Sequence, residues 1–155
     1  MSRPALYRLS LLTGMLFALS ASAEMPRMEL SAGFHRIEAE VAANQENRAL
    51  GLMHRKSMGS NQGMLFVFPV AARHCMWMRN TLIPLAVAFL DDEGRIINVE
   101  EMKPQTENNH CAAAPARFAL EMNKGWFAAK GIQNGMRIGG VEKSPGAKSV
   151  ATMVC

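Results

Sequence analysis

Short runs of hydrophobic residues, several of them alternating with polar ones, follow one another along most of this chain and are typical of β-strands. The first two runs cover 28–30 and 34–41, and Ala32-Gly33 between them favours a turn, so they predict a hairpin. Later runs predict strands over 64–68, 74–80, 82–90, 95–102, 116–122 and 136–141. The acidic turn 91–94, which ends in glycine, predicts a second hairpin between two of these runs.

Helical periodicity is confined to short segments. Asn44 is a suitable N-cap, and 45–56 has the pattern of a short amphipathic helix. Its apolar stripe consists of Ala49, Leu50 and Met53. Gly51 lowers the helix propensity and indicates close packing. With about seven strands, one short helix and a single helical turn at 126–130, the chain is predicted to be mainly β (α+β at the margin), as one small β-barrel or β-sandwich.

The N-terminal segment has the three parts of a secretory signal peptide. Arg3 and Arg8 give a positive start, 9–19 is a nearly continuous apolar run, and small residues then lead to an expected cleavage between Ala23 and Glu24. The run is shorter than the roughly 20 residues that span a bilayer. A mitochondrial presequence, the alternative, would be amphipathic and richer in arginine. We therefore expect an exported protein, periplasmic or secreted, without a membrane anchor after cleavage.

The remaining length and charge restrict the possible classes of protein. Removing 1–23 from 155 residues leaves 132, which suits one domain with its own core. We expect a single β-rich domain over 24–141 and a flexible C-terminal tail over 142–155. The chain has 17 basic and 13 acidic residues. The signal segment contains two of the basic residues and no acidic one, so the exported part has a net charge of only +2. This weak and scattered charge predicts no nucleic-acid partner.

Three cysteines, Cys75, Cys111 and Cys155, lie in the part expected to be exported. Two cysteines in an oxidising compartment normally pair. Cys155 ends a tail rich in small residues, so Cys75–Cys111 is the expected disulfide. Cys155 would then be a free thiol or an intermolecular link.

Several sequence blocks occur in an order found in one known family. They are Arg48-x-x-Gly51-Leu52-Met53-x-Arg55, 63–68, 77–85, 88–94, Leu120-Glu121 and 131–135. Together they resemble domain-of-unknown-function family 192 over about 34–141. The resemblance implies a mostly β, barrel- or sandwich-like domain, often exported, with no established activity. Members of this kind look similar in carrying the Cys75 and Cys111 pair.

Polar or amphipathic residues within or beside these blocks form the candidate ligand site. They are Arg48, Arg55, Trp77, Arg79, Asn80, Thr81, Glu121, Asn123 and Trp126. Arginine offers a planar fork to a carboxylate or phosphate, and tryptophan offers a stacking surface. A structural role is the alternative for each: Asn80 and Thr81 would shape a turn, and Glu121 would pair with Arg48 or Arg55.

The segment 74–80 suggests a metal site as an alternative. On a strand, His74, Met76 and Met78 would share one face, and an imidazole with two thioethers suits Cu(I). The competing interpretation is packing, because methionine commonly fills gaps in cores.

Standard catalytic signatures are missing from the sequence, so no catalytic residue is assigned. We expect a binding or interaction module for a small molecule or a protein, without a cofactor. A copper carrier and an uncharacterised enzyme are the alternatives.

Overall fold

The computed structural model describes residues 24–148, so the expected signal peptide over 1–23 and Cys155 lie outside the described residues. The strands are β1 (Arg27–Ala32), β2 (His35–Ala42), β3 (Gln62–Ala72), β4 (Cys75–Met76), β5 (Leu85–Leu90), β6 (Ile96–Met102), β7 (His110–Cys111), β8 (Ala116–Asn123) and β9 (Ile138–Gly139). The helices are α1 (Gln45–Leu50), α2 (Trp126–Ala129) and a 3-10 turn at Val141–Lys143. Between residues 24 and 148 no helix has the length and hydrophobicity needed to cross a membrane.

Seven strands form one curled sheet in the order β6-β5-β8-β3-β2-β1-β9. All neighbours are antiparallel except β2 and β3, which are parallel. The two edges of the sheet meet at one end, where Ile96 N donates to Met136 O at 2.8 Å and Ile138 N donates to Gly94 O at 2.9 Å. The sheet is a half-barrel, which confirms the predicted mainly β, barrel-like domain.

Each face of the curled sheet carries an apolar cluster. The inner cluster takes side chains from all seven strands and from α2, among them Ile37, Phe118 and Phe127. The outer cluster lies mainly on β3, β5 and β8 and is covered by loop residues such as Leu52 and Met78. Every residue of β5 is therefore buried, whichever face its side chain points to.

A second, two-stranded sheet consists of β4 and β7. Cys75 pairs directly with Cys111, and Met76 pairs with His110. The predicted disulfide Cys75–Cys111 is present, with 4.0 Å between the Cα atoms and a sequence separation of 36. It joins the segment before Trp77 to the long loop that follows β6.

The predicted helix is correct at its start and too long at its end. The Asn44 side chain accepts a hydrogen bond from Asn47 N at 2.7 Å, as expected of an N-cap. The helix stops at Leu50 because Gly51 has φ 49° and ψ −135°, a conformation outside the regions open to residues with a side chain. The predicted apolar stripe is also wrong, since α1 contains no buried residue.

Two strand predictions need correction. The strand predicted over 64–68 is too short, because β3 continues through Pro69 to Ala72. The register between β3 and β8 shifts at this place, so the missing proline donor interrupts no regular ladder. The strand expected over 74–80 is only Cys75–Met76, because the chain turns before Asn80, which has φ 54°.

The structure describes the first residues of the expected C-terminal tail, 142–148. Ser144 is buried. The Arg117 side chain, itself buried, donates from Nη2 to Gly146 O at 2.8 Å and to Ala147 O at 3.4 Å. Glu142, Lys143 and Pro145 are exposed, so this segment contacts the rest of the domain through Ser144, Gly146 and Ala147.

Replacing both Cys75 and Cys111 by serine should lower the free energy of unfolding by about 4 kcal/mol, because the unfolded chain loses a cross-link that closes a loop of this length. Urea unfolding of the oxidised proteins measures the difference. The control is Cys155→Ser, which should keep the wild-type midpoint. A double variant that unfolds at the wild-type midpoint would show that the disulfide adds no stability.

Candidate ligand site

A single carboxylate side chain lies within the outer cluster. Glu121 is on the central strand β8, opposite Met64 of β3 and Val87 of β5, and both of these residues belong to the outer cluster. Directly opposed residues of antiparallel strands share a face, so Glu121 points into that cluster. The residue is only 3% exposed. A glutamate buried to this extent is rare unless it is paired.

Burial raises the pKa of Glu121 from 4.5 to about 8. Desolvation is the cause, and no charge or hydrogen bond within the described part of the chain offsets it. The side chain is therefore mainly a neutral acid at pH 7. The predicted ion pair between Glu121 and Arg48 or Arg55 is not formed.

Glu121 lines a small pocket of about 30 Å³, which we call the Glu121 pocket. One wall is the end of α1 and the turn after it, a second is the segment after β4, and Phe66 of β3 contributes between them. The other lining residues are Arg48, Ala49, Leu50, Gly51, Leu52, Met53, Met76, Trp77 and Thr81. The volume suits one or two water molecules or an equally small head group.

Two residues with left-handed backbone join the walls of the Glu121 pocket. His54 N donates to Asn80 O at 2.9 Å, and the two residues have φ values of 64° and 54°. Such conformations cost on the order of 1 kcal/mol or more each and cluster at functional sites. The Asn80 turn is closed by a hydrogen bond from Thr81 N to Met78 O at 3.1 Å, so the turn-forming role considered for Asn80 and Thr81 is present.

Gly51 brings the first wall close to the sheet. A Cβ atom at this position would lie 3.3 Å from Phe66 Cζ, which accounts for the close packing that its sequence position indicates.

The family profile of DUF192 (Uncharacterized ACR) matches residues 27–140. The chain belongs to domain-of-unknown-function family 192. No curated protein gives a significant match to its sequence.

Two solved structures share the fold of this DUF192 domain. One is a protein of unknown function from Novosphingobium aromaticivorans DSM 12444, with 30% identity, a TM-score of 0.71, and coverage of 81% of this chain and 98% of the other. The second is described as a candidate transcription regulator from Sinorhizobium meliloti 1021. It has 32% identity, a TM-score of 0.68, and coverage of 72% of this chain and 90% of the other.

The DUF192 domain brings four of the nine predicted ligand residues to the Glu121 pocket: Arg48, Trp77, Thr81 and Glu121. The guanidinium of Arg48 is held by the backbone, since its Nη1 donates to Ala43 O and to Val67 O. Trp77 is 43% exposed and forms part of the rim.

The other five predicted residues make separate contacts. Arg55 donates through both Nη atoms to the Glu40 carboxylate, and this pairing lowers the pKa of Glu40. Arg79 lies on the surface with its Cζ 5.5 Å from the Trp77 ring centroid, and Asn80 lies in the turn described above.

Asn123 and Trp126 have structural contacts away from the pocket. Asn123 Nδ2 donates to the carbonyl oxygens of Met58 and Gly59. Trp126 lies in the inner cluster and donates from Nε1 to Asn61 Oδ1 at 3.2 Å.

The residues of the copper alternative occupy packed positions. The His74 ring stacks on Phe68 at 3.8 Å between centroids, and its Nε2 lies 2.9 Å from Val70 O. Met78 is completely buried in the outer cluster. Residues 24–148 contain no group of three or more His, Cys, Asp or Glu side chains placed to hold a metal. The strand face that His74, Met76 and Met78 were expected to share is not formed, because β4 covers only Cys75–Met76. Copper binding stays a prediction that no longer has this basis.

Six apolar residues at the Glu121 pocket were not among the nine predicted ligand residues: Ala49, Leu50, Leu52, Met53, Phe66 and Met76. All six lie in the sequence blocks that carry the family resemblance or directly beside those blocks. No feature of the sequence indicates that these blocks converge on Glu121.

Replacing Glu121 by glutamine should make stability less dependent on pH. Folded Glu121 keeps its proton up to about pH 8, whereas the unfolded chain loses it near pH 4.5. The stabilising contribution is therefore complete below pH 4.5, falls as pH rises, and levels off above pH 8. Wild type should lose about 2.5 kcal/mol relative to Glu121→Gln between pH 5 and pH 7.

Urea unfolding at several pH values measures this difference. Glu93→Gln, on the exposed turn between β5 and β6, is the control and should follow wild type. Parallel stability curves for wild type and Glu121→Gln would contradict a protonated Glu121 in the folded protein.

Proposed function

We propose that this DUF192 domain is a binding module that takes a small head group of its ligand into the Glu121 pocket. The supporting observation is the uncompensated carboxyl group of Glu121 beneath two segments of the family blocks. Burying a carboxyl group without a partner is unfavourable, and an aliphatic residue would pack at this position of β8 without that penalty. Strongly perturbed carboxyl groups beside a pocket are typical of functional sites.

The rim of the pocket offers a surface for the rest of the ligand. Leu50 is 47% exposed and Trp77 is 43% exposed, and both line the pocket. Tryptophan at such a rim supplies a large apolar area at a small entropy cost. A ligand with a small polar head group and an apolar or aromatic body fits this combination.

One larger open groove, of about 820 Å³, offers few unpaired charges to a ligand. It is bordered by Arg27, Glu40 and Arg55. These charged groups already pair with one another or with neighbours, as Arg55 does with Glu40 and Arg27 with Glu38.

A nucleic-acid partner, which the description of the Sinorhizobium relative suggests, has less support in this chain. Six arginines of the described range lie within 4.0 Å of a carboxylate: Arg27, Arg36, Arg55, Arg79, Arg117 and Arg137. Phosphate recognition depends on basic groups that can release counterions. The pairing therefore favours a small-molecule or protein ligand.

Acid–base catalysis is the second candidate function, because the pKa of Glu121 at about 8 lies near neutral pH. A screen of small-molecule fragments separates the two functions. A fragment that is a substrate would change chemically over hours with wild type and stay intact with Glu121→Gln.

A fragment screen by protein NMR tests the binding module. Fragments that bind should shift the backbone amide resonances of Met53, Trp77 and Thr81. Glu121→Leu should lower their affinity at least tenfold, because the polar partner of the head group is lost. Trp126→Phe leaves Trp77 as the single tryptophan, so its fluorescence gives a second readout. The matched control is Arg36→Ala, on a separate exposed groove. Hits that keep their affinity in Glu121→Leu, or that map to the Arg36 groove, would contradict the proposal.

A further inference from the structure

When Glu121 is ionised, the side-chain oxygens that face the Glu121 pocket are hydrogen-bond acceptors. Glu121 contributes carboxyl oxygens, and Thr81 contributes a hydroxyl whose proton is directed to Arg79 O at 3.3 Å, which leaves its lone pairs available. Arg48 is the one donor-rich side chain among the lining residues, and its Nη1 is held by two backbone carbonyls. A ligand group that binds the ionised carboxylate must therefore supply donors.

The remaining walls suit a cation. Phe66 and Trp77 present aromatic rings, and Met53 and Met76 present thioethers, which are weak acceptors without donors. Aromatic faces attract ammonium and guanidinium groups, more strongly where water is excluded.

No cation of the described chain fills this position. Arg48 is the one charged side chain besides Glu121 that borders the pocket, and it produces no shift in the pKa of Glu121. Arg55 is paired with Glu40, and Arg79 lies between Trp77 and Glu107 at the surface. The strand neighbours of Glu121, Met64 and Val87, are uncharged.

We infer that the head group which enters the Glu121 pocket is a primary ammonium carried on an apolar stem. An ammonium has three donors and no acceptor, which matches the acceptors of Glu121 and Thr81. Its small size matches a pocket of about 30 Å³, and the stem would lie against the exposed rim at Leu50 and Trp77. The inference rests on the proposed function and names its ligand class.

Ammonium binding has a defined dependence on pH. The bound ammonium requires the Glu121 carboxylate, so binding releases a proton from the neutral acid that burial maintains. Affinity should rise about tenfold per pH unit below the pKa of Glu121 and level off near pH 8, because an alkylamine stays charged up to a pKa of roughly 10. A neutral hydroxyl or amide would behave in the opposite way, since it would bind the protonated acid.

Titration of the full chain with n-butylammonium chloride and with 1-butanol at pH 6, 7 and 8 tests the inference. NMR shifts and Trp77 fluorescence in Trp126→Phe give the affinities, and calorimetry in two buffers of different ionisation enthalpy gives the protons released. We expect butylammonium to bind with rising affinity and release of one proton at pH 6–7. Glu121→Gln should weaken it at least tenfold and remove its pH dependence, Trp77→Ala should weaken it several-fold, and Arg36→Ala should have no effect.

Nα-acetyl-lysine methylamide identifies the source of the ammonium. Tighter binding than butylammonium would indicate a lysine side chain of a partner protein, and weaker binding would indicate a free amine.

Two results would overturn the ammonium inference and leave the binding module intact. The first is a butanol affinity that falls as the pH rises, together with no binding of butylammonium. Butylammonium that binds equally to wild type and Glu121→Gln would overturn it as well. Absence of any fragment at the pocket would overturn the proposed function itself.

Discussion

Both hydrophobic clusters depend on the backbone hydrogen bonds that hold β8 between β3 and β5. Strand β8 supplies Phe118, Leu120 and Met122 to the inner cluster and Ala119 to the outer one. A strand buried on both faces cannot satisfy its polar backbone with water, so its ladders on both sides must be complete. The half-barrel and the loop cover on its outer face are consequences of this central position.

The same position explains the properties of the Glu121 pocket. In the middle of the sheet, a carboxyl group has strands on both sides and loop segments above it, so water solvates it poorly. The loop cover is held in turn by Cys75–Cys111, because β4 leads directly into Trp77. The disulfide at the surface and the carboxyl group beneath the cover are therefore parts of one arrangement.

Local signals in the sequence predicted most of the sheet and one end of the helix. The turn at 91–94, the N-cap at Asn44 and the strand 116–122 were predictable because turn chemistry, capping and apolar runs act within a few residues. The conformation of Gly51 ended α1 earlier than periodicity indicates. Strand β3 runs beyond the predicted 64–68 because a register shift against β8, a property of two strands, accommodates Pro69.

The candidate site was only partly predictable for a similar reason. Glu121 and Trp77 were identified because they lie in the family blocks, but their proximity arises from a sheet order that no local pattern encodes. The same blocks also contain Arg55, which pairs with Glu40 outside the pocket. Asn123 and Trp126, next to these blocks, support loops and the inner cluster instead.

The place of β8 in the chain also has a consequence for how the protein acquires its structure. Strands β3 and β5 pair with β8 and not with each other, and β8 begins only at Ala116. A growing chain therefore presents two unpaired apolar strand edges until the segment that begins at Ala116 has been made. Folding must wait for a late segment and proceeds through contacts between distant residues, which slows it. A fragment that stops before Ala116 is expected to aggregate, because these strand edges stay unpaired.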